Sequence, residues 1–287
     1  MSTKKNQGFN QGAYAPPASN LSAYPHHPGE LPRTVDIVFP PDERKQIPVT
    51  TVYPWSRIGQ LIVTFPDGAV GRATGELIGG ALGRAVLTNA HVLYSADHGG
   101  LAVSVRFQLA RNGNQFPFAT VLGKKWVVNE GYKNSGLTSP MFTSGKLEEA
   151  DHGNRKYDYG LVFLETAPDP LGGSLPLVSL ETKELVDRTV NITGYPGDKP
   201  TGTMWGAKGP LEKVSTDLLF YTISTYNGQS GSPILTNLMV AKDQLLIEVG
   251  LHSGFSAAEN KNVGVRITES VLMQIKTWVE GFFAEND

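Results

Sequence analysis

The chain has 287 residues, a formal net charge of −2 and no cysteine. The near-balanced charge gives no electrostatic reason to expect nucleic acid or an anionic membrane as a partner. The lack of cysteine excludes disulfides, a cysteine nucleophile and a thiolate metal site, and no apolar run reaches the ~18 residues of a membrane span.

The amino-terminal stretch, residues 1–36, is rich in Asn, Gln, Gly, Pro, Ser and Tyr and shows no hydrophobic periodicity. Such a composition is typical of a disordered segment, so we interpret residues 1–36 as a leader. Lysines follow Met1, but no apolar stretch comes after them, and we identify no signal peptide in this chain.

From Ile37 onward, short apolar runs alternate with turns rich in Gly, Pro and Asn. Runs such as 59–65 and 101–107 are typical of the short strands of barrels and sandwiches. A second set of such runs begins near Val190 and ends at Ile267. The pattern therefore predicts an all-β chain built from two sets of strands.

One helix is predicted at the end of the chain, within residues 268–287. Apolar residues recur at helical spacing from Val271 to Phe283, with Thr268 as the N-cap and Glu269 in the first turn. We expect the apolar stripe of this helix to dock on the second set of strands.

Three short motifs place a histidine, an aspartate and a serine in that order along the chain. His91 ends an apolar run, Asp158 precedes the buried-strand pattern at 161–164, and Ser230 lies in the turn Gly-Gln-Ser-Gly-Ser-Pro at 228–233. This order is the one that chymotrypsin-type proteases use. The three motifs together indicate a site for acyl transfer.

The chemistry assigns a role to each residue. Ser230 is the candidate nucleophile, His91 the candidate general base and acid, and Asp158 the group that orients the imidazole and stabilises its charged form. The backbone N–H groups of Gly228 and Ser230 are the candidate oxyanion hole.

Four longer stretches resemble one family of proteins. The sequence resembles the chymotrypsin-fold serine peptidases and, more narrowly, the bacterial glutamyl endopeptidases typified by the staphylococcal enzyme. The matching stretches, between Ile37 and the final helix, are 41–47, 88–92, 191–200 and 250–254.

The resemblance implies two six-stranded antiparallel β-barrels, in a chymotrypsin-like arrangement, followed by a C-terminal α-helix. We expect the first barrel within 37–180, the second within 181–267, the helix within 268–287, and the active site in the cleft between the barrels.

The resemblance also implies a serine endopeptidase that cleaves after glutamate, and after aspartate more slowly, through an acyl-enzyme. A carboxylate entering a pocket must meet cationic or hydrogen-bonding groups, because its desolvation is otherwise prohibitive. By the match, His252, Thr225 and the free α-amino group of Ile37 bind it. The alternative for His252 is a strand histidine hydrogen-bonded to its neighbours.

The family match further suggests that residues 1–36 are a propeptide and that cutting the Asp36–Ile37 bond activates a zymogen. In trypsin-like zymogens the new amino group pairs with an aspartate just before the nucleophile. Here that residue is the uncharged Gln229, so the new terminus is free to serve the pocket.

The expected partners are protein or peptide substrates. We expect no metal, no other cofactor, no nucleic acid and no membrane. The resemblance implies a monomer that is secreted and acts outside the cell, although no signal peptide is visible.

Two alternatives stay open. Tyr226, Asn227 and Ser253 depart from the family pattern around the pocket, which leaves room for a narrowly selective protease like the exfoliative toxins. A catalytically silent binding protein is the other alternative, and the intact histidine, aspartate and serine argue against it.

Overall fold

The computed structural model describes residues 36–78, 83–135, 152–168 and 175–285. The strands are Lys45–Gln46 (β1), Ile58–Thr64 (β2), Val70–Ile78 (β3), Ala85–Thr88 (β4), Tyr94–Ser95 (β5), Gly100–Leu101 (β6), Ser104–Leu109 (β7), Val121–Val128 (β8), Gly160–Leu164 (β9), Thr189–Gly194 (β10), Trp205–Pro210 (β11), Lys213–Val214 (β12), Leu218–Tyr221 (β13), Pro233–Val240 (β14), Asp243–Ser256 (β15) and Lys261–Arg266 (β16). The α-helices are Ala90–Leu93 (α1), Glu130–Lys133 (α2), His152–Arg155 (α3), Thr182–Leu185 (α4) and Glu269–Ala284 (α5).

The first set of strands closes into a six-stranded antiparallel barrel in the order β2-β3-β4-β9-β8-β7. Its interior is filled by side chains such as Leu61, Val86 and Phe107, each fully buried. The predicted run at 59–65 corresponds to β2, whereas the run at 101–107 divides between β6 and β7. Pairing within this barrel fixes the ends of β4 and β9, which carry candidate site residues.

The second set of strands forms an eight-stranded sheet in the order β1-β11-β10-β14-β15-β16-β13-β12. The all-β prediction is confirmed, but this sheet has two strands more than the six expected. The additional strands are short: β1 pairs with β11 near the chain start, and β12 pairs with β13. The predicted boundary at residues 180 and 181 falls between β9 and β10.

The C-terminal helix α5 confirms the predicted element, and the Thr268 side chain caps it by accepting a hydrogen bond from the Val271 N–H at 3.3 Å. Its docking differs from the expectation. The Phe282 ring stacks on Phe163 of the barrel with centroids 4.1 Å apart, and the helix also contacts the eight-stranded sheet through Val265 and nearby residues. The helix therefore spans both sets of strands rather than the second alone.

Of the predicted leader, residues 1–35 lie outside the described residues, and Asp36 is buried. Among the helices that the structure describes, none combines the length and the apolar character needed to cross a bilayer.

Candidate active site

The candidate histidine and aspartate are brought together by the pairing of β4 with β9, in which Thr88 lies opposite Gly160. His91 follows β4 within the short helix α1, and Asp158 lies two residues before β9. The imidazole Nδ1 of His91 lies 2.8 Å from Asp158 Oδ2, and the His91 backbone N–H donates to Asp158 Oδ1 at 2.9 Å. Both carboxylate oxygens therefore face one histidine, which fixes the orientation of its ring.

Asp158 is buried and surrounded by hydrogen-bond donors. Ser253 Oγ donates to its Oδ2 at 2.6 Å, and Asn89 Nδ2 donates to its backbone carbonyl at 2.8 Å. Burial alone raises the pKa of this carboxyl. The charge of His91 and the hydrogen bonds from His91 and Ser253 lower it further than burial raises it, so that the pKa of Asp158 is below its ordinary value. The group is therefore a carboxylate at neutral pH.

Ser230 sits on a turn that only glycine can form on either side. Gly228 and Gly231 have positive φ angles of 102° and 81°, a region that disfavours other residues. A Cβ atom at Gly228 would lie 2.5 Å from the Tyr195 carbonyl oxygen, and one at Gly231 would lie 2.2 Å from that of Thr74. Gly231 thus allows the serine turn to pack closely against β3 of the barrel, and Gly228 allows it to pack against the segment that follows β10 of the sheet.

Thr74 of β3 holds this turn against the barrel. Its N–H donates to the Ser230 carbonyl at 2.9 Å, and its hydroxyl donates to the Gly228 carbonyl at 2.8 Å. Thr88, three residues before His91, donates in turn to the Thr74 carbonyl at 2.8 Å. A short chain of hydrogen bonds therefore connects the serine turn of the sheet to the histidine segment of the barrel.

The backbone N–H groups of Gly228 and Ser230, the candidate oxyanion hole, differ from that of Gln229 in their hydrogen bonding. The Gln229 N–H donates to the Tyr226 carbonyl at 2.9 Å, and the Gln229 side-chain oxygen accepts from the Tyr226 N–H at 3.1 Å. Within the described part of the chain, the N–H groups of Gly228 and Ser230 have no protein acceptor. Both amides are thus available to an oxygen atom of a ligand.

His252 of β15 lies at the centre of a buried polar cluster. Its Nδ1 is 2.7 Å from the Tyr221 hydroxyl, and its Nε2 is 3.1 Å from Asp36 Oδ1. Burial and then the charge of Asp36 raise the pKa of Tyr221 well above its ordinary value, so the hydroxyl keeps its proton and can donate it to Nδ1. The Asp36 carboxylate only accepts hydrogen bonds, so the ring nitrogen that faces it, Nε2, carries a proton.

The backbone of Ile37 is fixed beside this cluster. Its N–H donates to Asn262 Oδ1 at 3.1 Å, while its carbonyl accepts from Asn262 Nδ2 at 2.8 Å and from the Thr225 N–H at 3.2 Å. The three predicted substrate-binding residues, Ile37, Thr225 and His252, therefore lie in one cluster.

A bulge in β15 links that cluster to the histidine and aspartate. The register shifts between His252 and Gly254, which leaves Ser253 as the extra residue. The His252 carbonyl accepts from the Gly231 N–H at 2.9 Å, next to the serine turn, while the Ser253 hydroxyl reaches Asp158. Bulges commonly re-aim a side chain in this way near active sites.

Several residues of the site were not identified from the sequence: Asp36 as a buried carboxylate, Tyr221, Asn262, Arg155 and the role of Ser253. Arg155 is buried, and its Nη1 lies 3.4 Å from Ser253 Oγ. None of the five lies in a local sequence pattern that marks its place in the site.

The described residues include no group of three or more His, Cys, Asp or Glu side chains arranged to hold a metal ion. They do hold a buried histidine–aspartate pair in direct contact. Hydrogen bonds of Thr74 and Thr88 join the histidine segment to a glycine-flanked serine turn with two available backbone amides. That combination is the one needed for acyl transfer through a nucleophile and an oxyanion site.

Comparison with known sequences agrees with this geometry. The family model for the trypsin-like peptidase domain matches residues 73–238. A glutamyl endopeptidase of Bacillus licheniformis is 30% identical over 259 residues, which cover 88% of this chain and 72% of that protein. A glutamyl endopeptidase of Staphylococcus aureus is 26% identical over 266 residues, which cover 91% of this chain and 69% of that protein.

A solved structure shares the fold. A Glu endopeptidase in complex with MPD superposes with a TM-score of 0.66 and 24% sequence identity, covering 84% of this chain and 98% of the other. This likeness confirms the chymotrypsin-like fold. The chain belongs to the trypsin-like peptidase family, alongside the bacterial glutamyl endopeptidases, and is a serine endopeptidase.

Proposed function

We propose that this endopeptidase hydrolyses peptide bonds after glutamate, and after aspartate more slowly, with His91, Asp158 and Ser230 as its catalytic residues. The Ser230 hydroxyl attacks the carbonyl carbon while His91 accepts its proton. The N–H groups of Gly228 and Ser230 bind the oxyanion, and His91 then protonates the leaving amine. Water then attacks the acyl-enzyme while His91 accepts a proton from it, and His91 returns that proton to the Ser230 oxygen as the acid product leaves.

Asp158 supports this mechanism by keeping the imidazole in one tautomer. Its Oδ2 lies 2.8 Å from His91 Nδ1, so Nδ1 carries the proton and Nε2 is the basic nitrogen. When Nε2 is protonated during attack, the carboxylate stabilises the imidazolium charge. Its lowered pKa keeps it ionised over the pH range in which the histidine works.

A single contact carries the proposed selectivity: a carboxylate, that of Asp36, already lies 3.1 Å from His252 Nε2 in a fully buried environment. The cluster can therefore accommodate the group that a glutamate substrate would present. Thr225 Oγ1 is also buried and has no hydrogen-bond partner among the described residues, so it is available as a second donor. Buried donors of this kind compensate the desolvation of a substrate carboxylate.

The family match suggests further features of the same proposal. Residues 1–36 act as a propeptide, and the α-amino group of Ile37 joins His252 and Thr225 in binding the substrate carboxylate. The first barrel lies within 37–180 and the second within 181–267, with the site between them. The protein acts as a secreted monomer.

A panel of peptides that differ only in the residue before the scissile bond tests the proposal. The protein is cleaved directly before Ile37, with amino-terminal sequencing as the check, and kcat/KM is measured for Glu, Asp, Gln and Ala peptides. We expect Glu to exceed Gln by roughly 10- to 100-fold, because hydrogen bonds to a charged acceptor are worth about 1.5–3 kcal/mol and those to a neutral amide oxygen are worth less. Ser230→Ala should abolish turnover of every peptide.

His252→Leu provides a matched control for selectivity. It should reduce turnover of the Glu peptide far more than that of the Ala peptide, whereas a general loss of folded protein would lower both equally. Equal losses on the two peptides would contradict a role in binding carboxylate. Turnover confined to one protein, with none on any peptide of the panel, would favour the narrowly selective alternative.

A further inference from the structure

The residue just before the proposed activation bond lies inside the proposed specificity site. The Asp36 side chain is 2% exposed. One carboxylate oxygen contacts His252 Nε2 at 3.1 Å, and the other is buried with no hydrogen-bond partner among the described residues. An aspartate that merely joined a leader to a domain would gain nothing from burial, because removing a carboxylate from water is costly.

We propose that the Asp36 side chain acts as a built-in competitor in the uncut chain, occupying the position that the substrate's glutamate carboxylate takes in the active enzyme. This inference rests on the proposed function and adds a regulatory role for one residue. It differs from simple blockage by a leader, because the inhibitory group is one carboxylate on the specificity histidine.

The position of Ile37 allows the uncut chain and the cleaved chain to keep the same backbone arrangement at this residue. Asn262 and Thr225 bind the Ile37 backbone through three hydrogen bonds that do not involve the Asp36 side chain. These contacts can persist when the Asp36–Ile37 bond is cut. The new amino group would therefore arise beside Asn262 Oδ1, which lies 3.1 Å from the Ile37 nitrogen.

Cleavage then reverses the charge of the cluster. Hydrolysis breaks the bond between the Asp36 carbonyl carbon and the Ile37 nitrogen, and it adds the hydroxyl of water to the carbon and the proton of water to the nitrogen. At neutral pH the new carboxyl group loses a proton and the new amine gains one, so that Ile37 carries an ammonium group. The Asp36 side chain, with its negative charge, leaves with the released segment, while a positive charge appears on Ile37. The same step frees His252 Nε2 and supplies a cation, and both changes favour an incoming carboxylate.

Geometry distinguishes this role from that of an ordinary ion pair. A purely structural pair would normally satisfy both carboxylate oxygens, since a half-satisfied buried group is costly. Asp36 leaves one oxygen unsatisfied, and Thr225 leaves its hydroxyl unsatisfied in the same cluster. The cluster thus retains hydrogen-bonding capacity that its internal occupant does not use.

The test measures peptide binding to the uncut chain. Full-length protein carrying Ser230→Ala cannot cut itself, so it is compared with Ser230→Ala/Asp36→Ala and Ser230→Ala/Asp36→Asn. The probes are two acetylated peptides that end in Glu or in Gln, and affinities are measured by calorimetry. We expect Asp36→Ala to strengthen binding of the Glu peptide at least ~10-fold, because a site occupied most of the time has its apparent affinity reduced by its free fraction.

The paired variants separate charge from volume. Asp36→Asn keeps the size of the side chain and removes its charge. The ratio of Glu-peptide to Gln-peptide affinity should therefore be lowest in the parent, intermediate in Asp36→Asn and highest in Asp36→Ala. Thermal unfolding checks that each variant is folded. If Asp36→Ala does not fold, the comparison is made between the parent and Asp36→Asn. Equal Glu-peptide affinity in the parent and a folded variant would overturn the inference.

A separate preparation keeps this result independent of the proposed function. Residues 32–36 are replaced by an enteropeptidase recognition sequence, so that cleavage of the purified full chain exposes Ile37. If the protein cleaved before Ile37 prefers Glu over Gln, but the Asp36 variants do not change peptide binding to the uncut chain, only the competitor role fails. If it shows no preference for Glu, the proposed selectivity fails instead.

Discussion

Ser253 links the His91–Asp158 pair to the strand that carries His252 through one hydroxyl. It belongs to the same strand as His252 of the specificity cluster, yet its Oγ donates to Asp158 Oδ2 at 2.6 Å. The carboxylate therefore receives hydrogen bonds from both sides of the cleft, from His91 of the barrel and from Ser253 of the sheet. A buried charge with this many donors is held in place and kept ionised.

Ser253→Ala should reduce kcat with little change in KM. Loss of a hydrogen bond to a charged group costs about 1.5–3 kcal/mol, so we expect a decrease of roughly 10-fold or more. Because Ser253 helps to lower the pKa of Asp158, its removal raises that pKa. The ionised form is present above the pKa and is lost as the pH falls through it. The kcat of Ser253→Ala relative to the parent should therefore fall further at the acid end of the profile than at neutral pH.

A pH profile of kcat checks this result, with Ser253→Thr as the matched control because it keeps the hydroxyl. A kcat of Ser253→Ala equal to that of the parent at both acid and neutral pH would show that the hydrogen bond to Asp158 has no catalytic effect.

The sequence predicts roles for residues that lie in a recognisable local motif. His91, Asp158 and Ser230 each lie in a short stretch with the right context, and the structure places the first two in direct contact. The contribution of Ser253 depends on a bulge and that of Asn262 on cross-strand contacts. Neither feature is encoded by neighbouring residues, so both required the folded chain.

At the scale of elements, the barrel and the sheet meet at a pair of buried carboxyl groups. Glu76 of β3 and Glu248 of β15 are both fully buried. Burial and the neighbouring Glu248 raise the pKa of Glu76 well above its ordinary value. Burial raises the pKa of Glu248 from 4.5 to about 8. The pair is therefore stable when protonated and becomes repulsive when it ionises.

This pair predicts that the folded state loses stability as the pH rises. Between the unfolded pKa of 4.5 and the folded value of about 8, the folded chain binds more protons than the unfolded chain, so the free energy of unfolding falls with increasing pH. Glu248→Gln removes one titrating group and should flatten this slope. At pH 8.5 the variant should unfold several degrees above the parent, since 1 kcal/mol corresponds to roughly 2–4 °C.

Thermal unfolding from pH 5 to pH 9 measures the effect. Glu280→Gln serves as the control, because Glu280 is on the exposed face of α5 with a side chain 66% exposed, and it should leave the slope unchanged. A slope that is identical in Glu248→Gln and the parent would contradict the assignment.

Strands were predictable from apolar runs and turn residues, but the contact between the barrel and the sheet was not. Glutamate in a β-pattern normally indicates a solvent-facing position, and nothing near Glu76 or Glu248 in the sequence marks them as buried. The two extra strands of the sheet are also invisible at this level, because two-residue strands have no periodicity. Their pairing is decided by long-range contacts.

At the scale of the whole molecule, long-range contacts fasten both ends of the described chain to the strands. Near the start, the buried Arg44 guanidinium pairs with Asp42 at 2.9 Å and with Asp198 at 2.5 Å. The latter belongs to the loop between β10 and β11. These pairs connect two stretches, 41–47 and 191–200, that the sequence resemblance marked separately. Their proximity fixes the segment that leads to Ile37.

At the other end, helix α5 packs across both sets of strands. The cluster beneath it combines Phe163 of the barrel with Leu251 and Val265 of the sheet. The apolar stripe predicted the helix and its buried face, but a stripe does not specify its partner. Only the assembled barrel and sheet create the surface that this face covers.

Phe282→Ala tests whether this helix stabilises the molecule as a unit. Phe282 is 2% exposed and stacks on Phe163, so truncation should cost about 3–5 kcal/mol, or on the order of 10 °C in Tm. Met273→Ala, at a position 69% exposed on the same helix, should change Tm by less than ~2 °C. Because neither side chain belongs to the substrate cluster, the preference for Glu over Gln should be unchanged in both variants. Altered selectivity in Phe282→Ala without a loss of Tm would show that the helix acts on the site rather than on the stability of the fold.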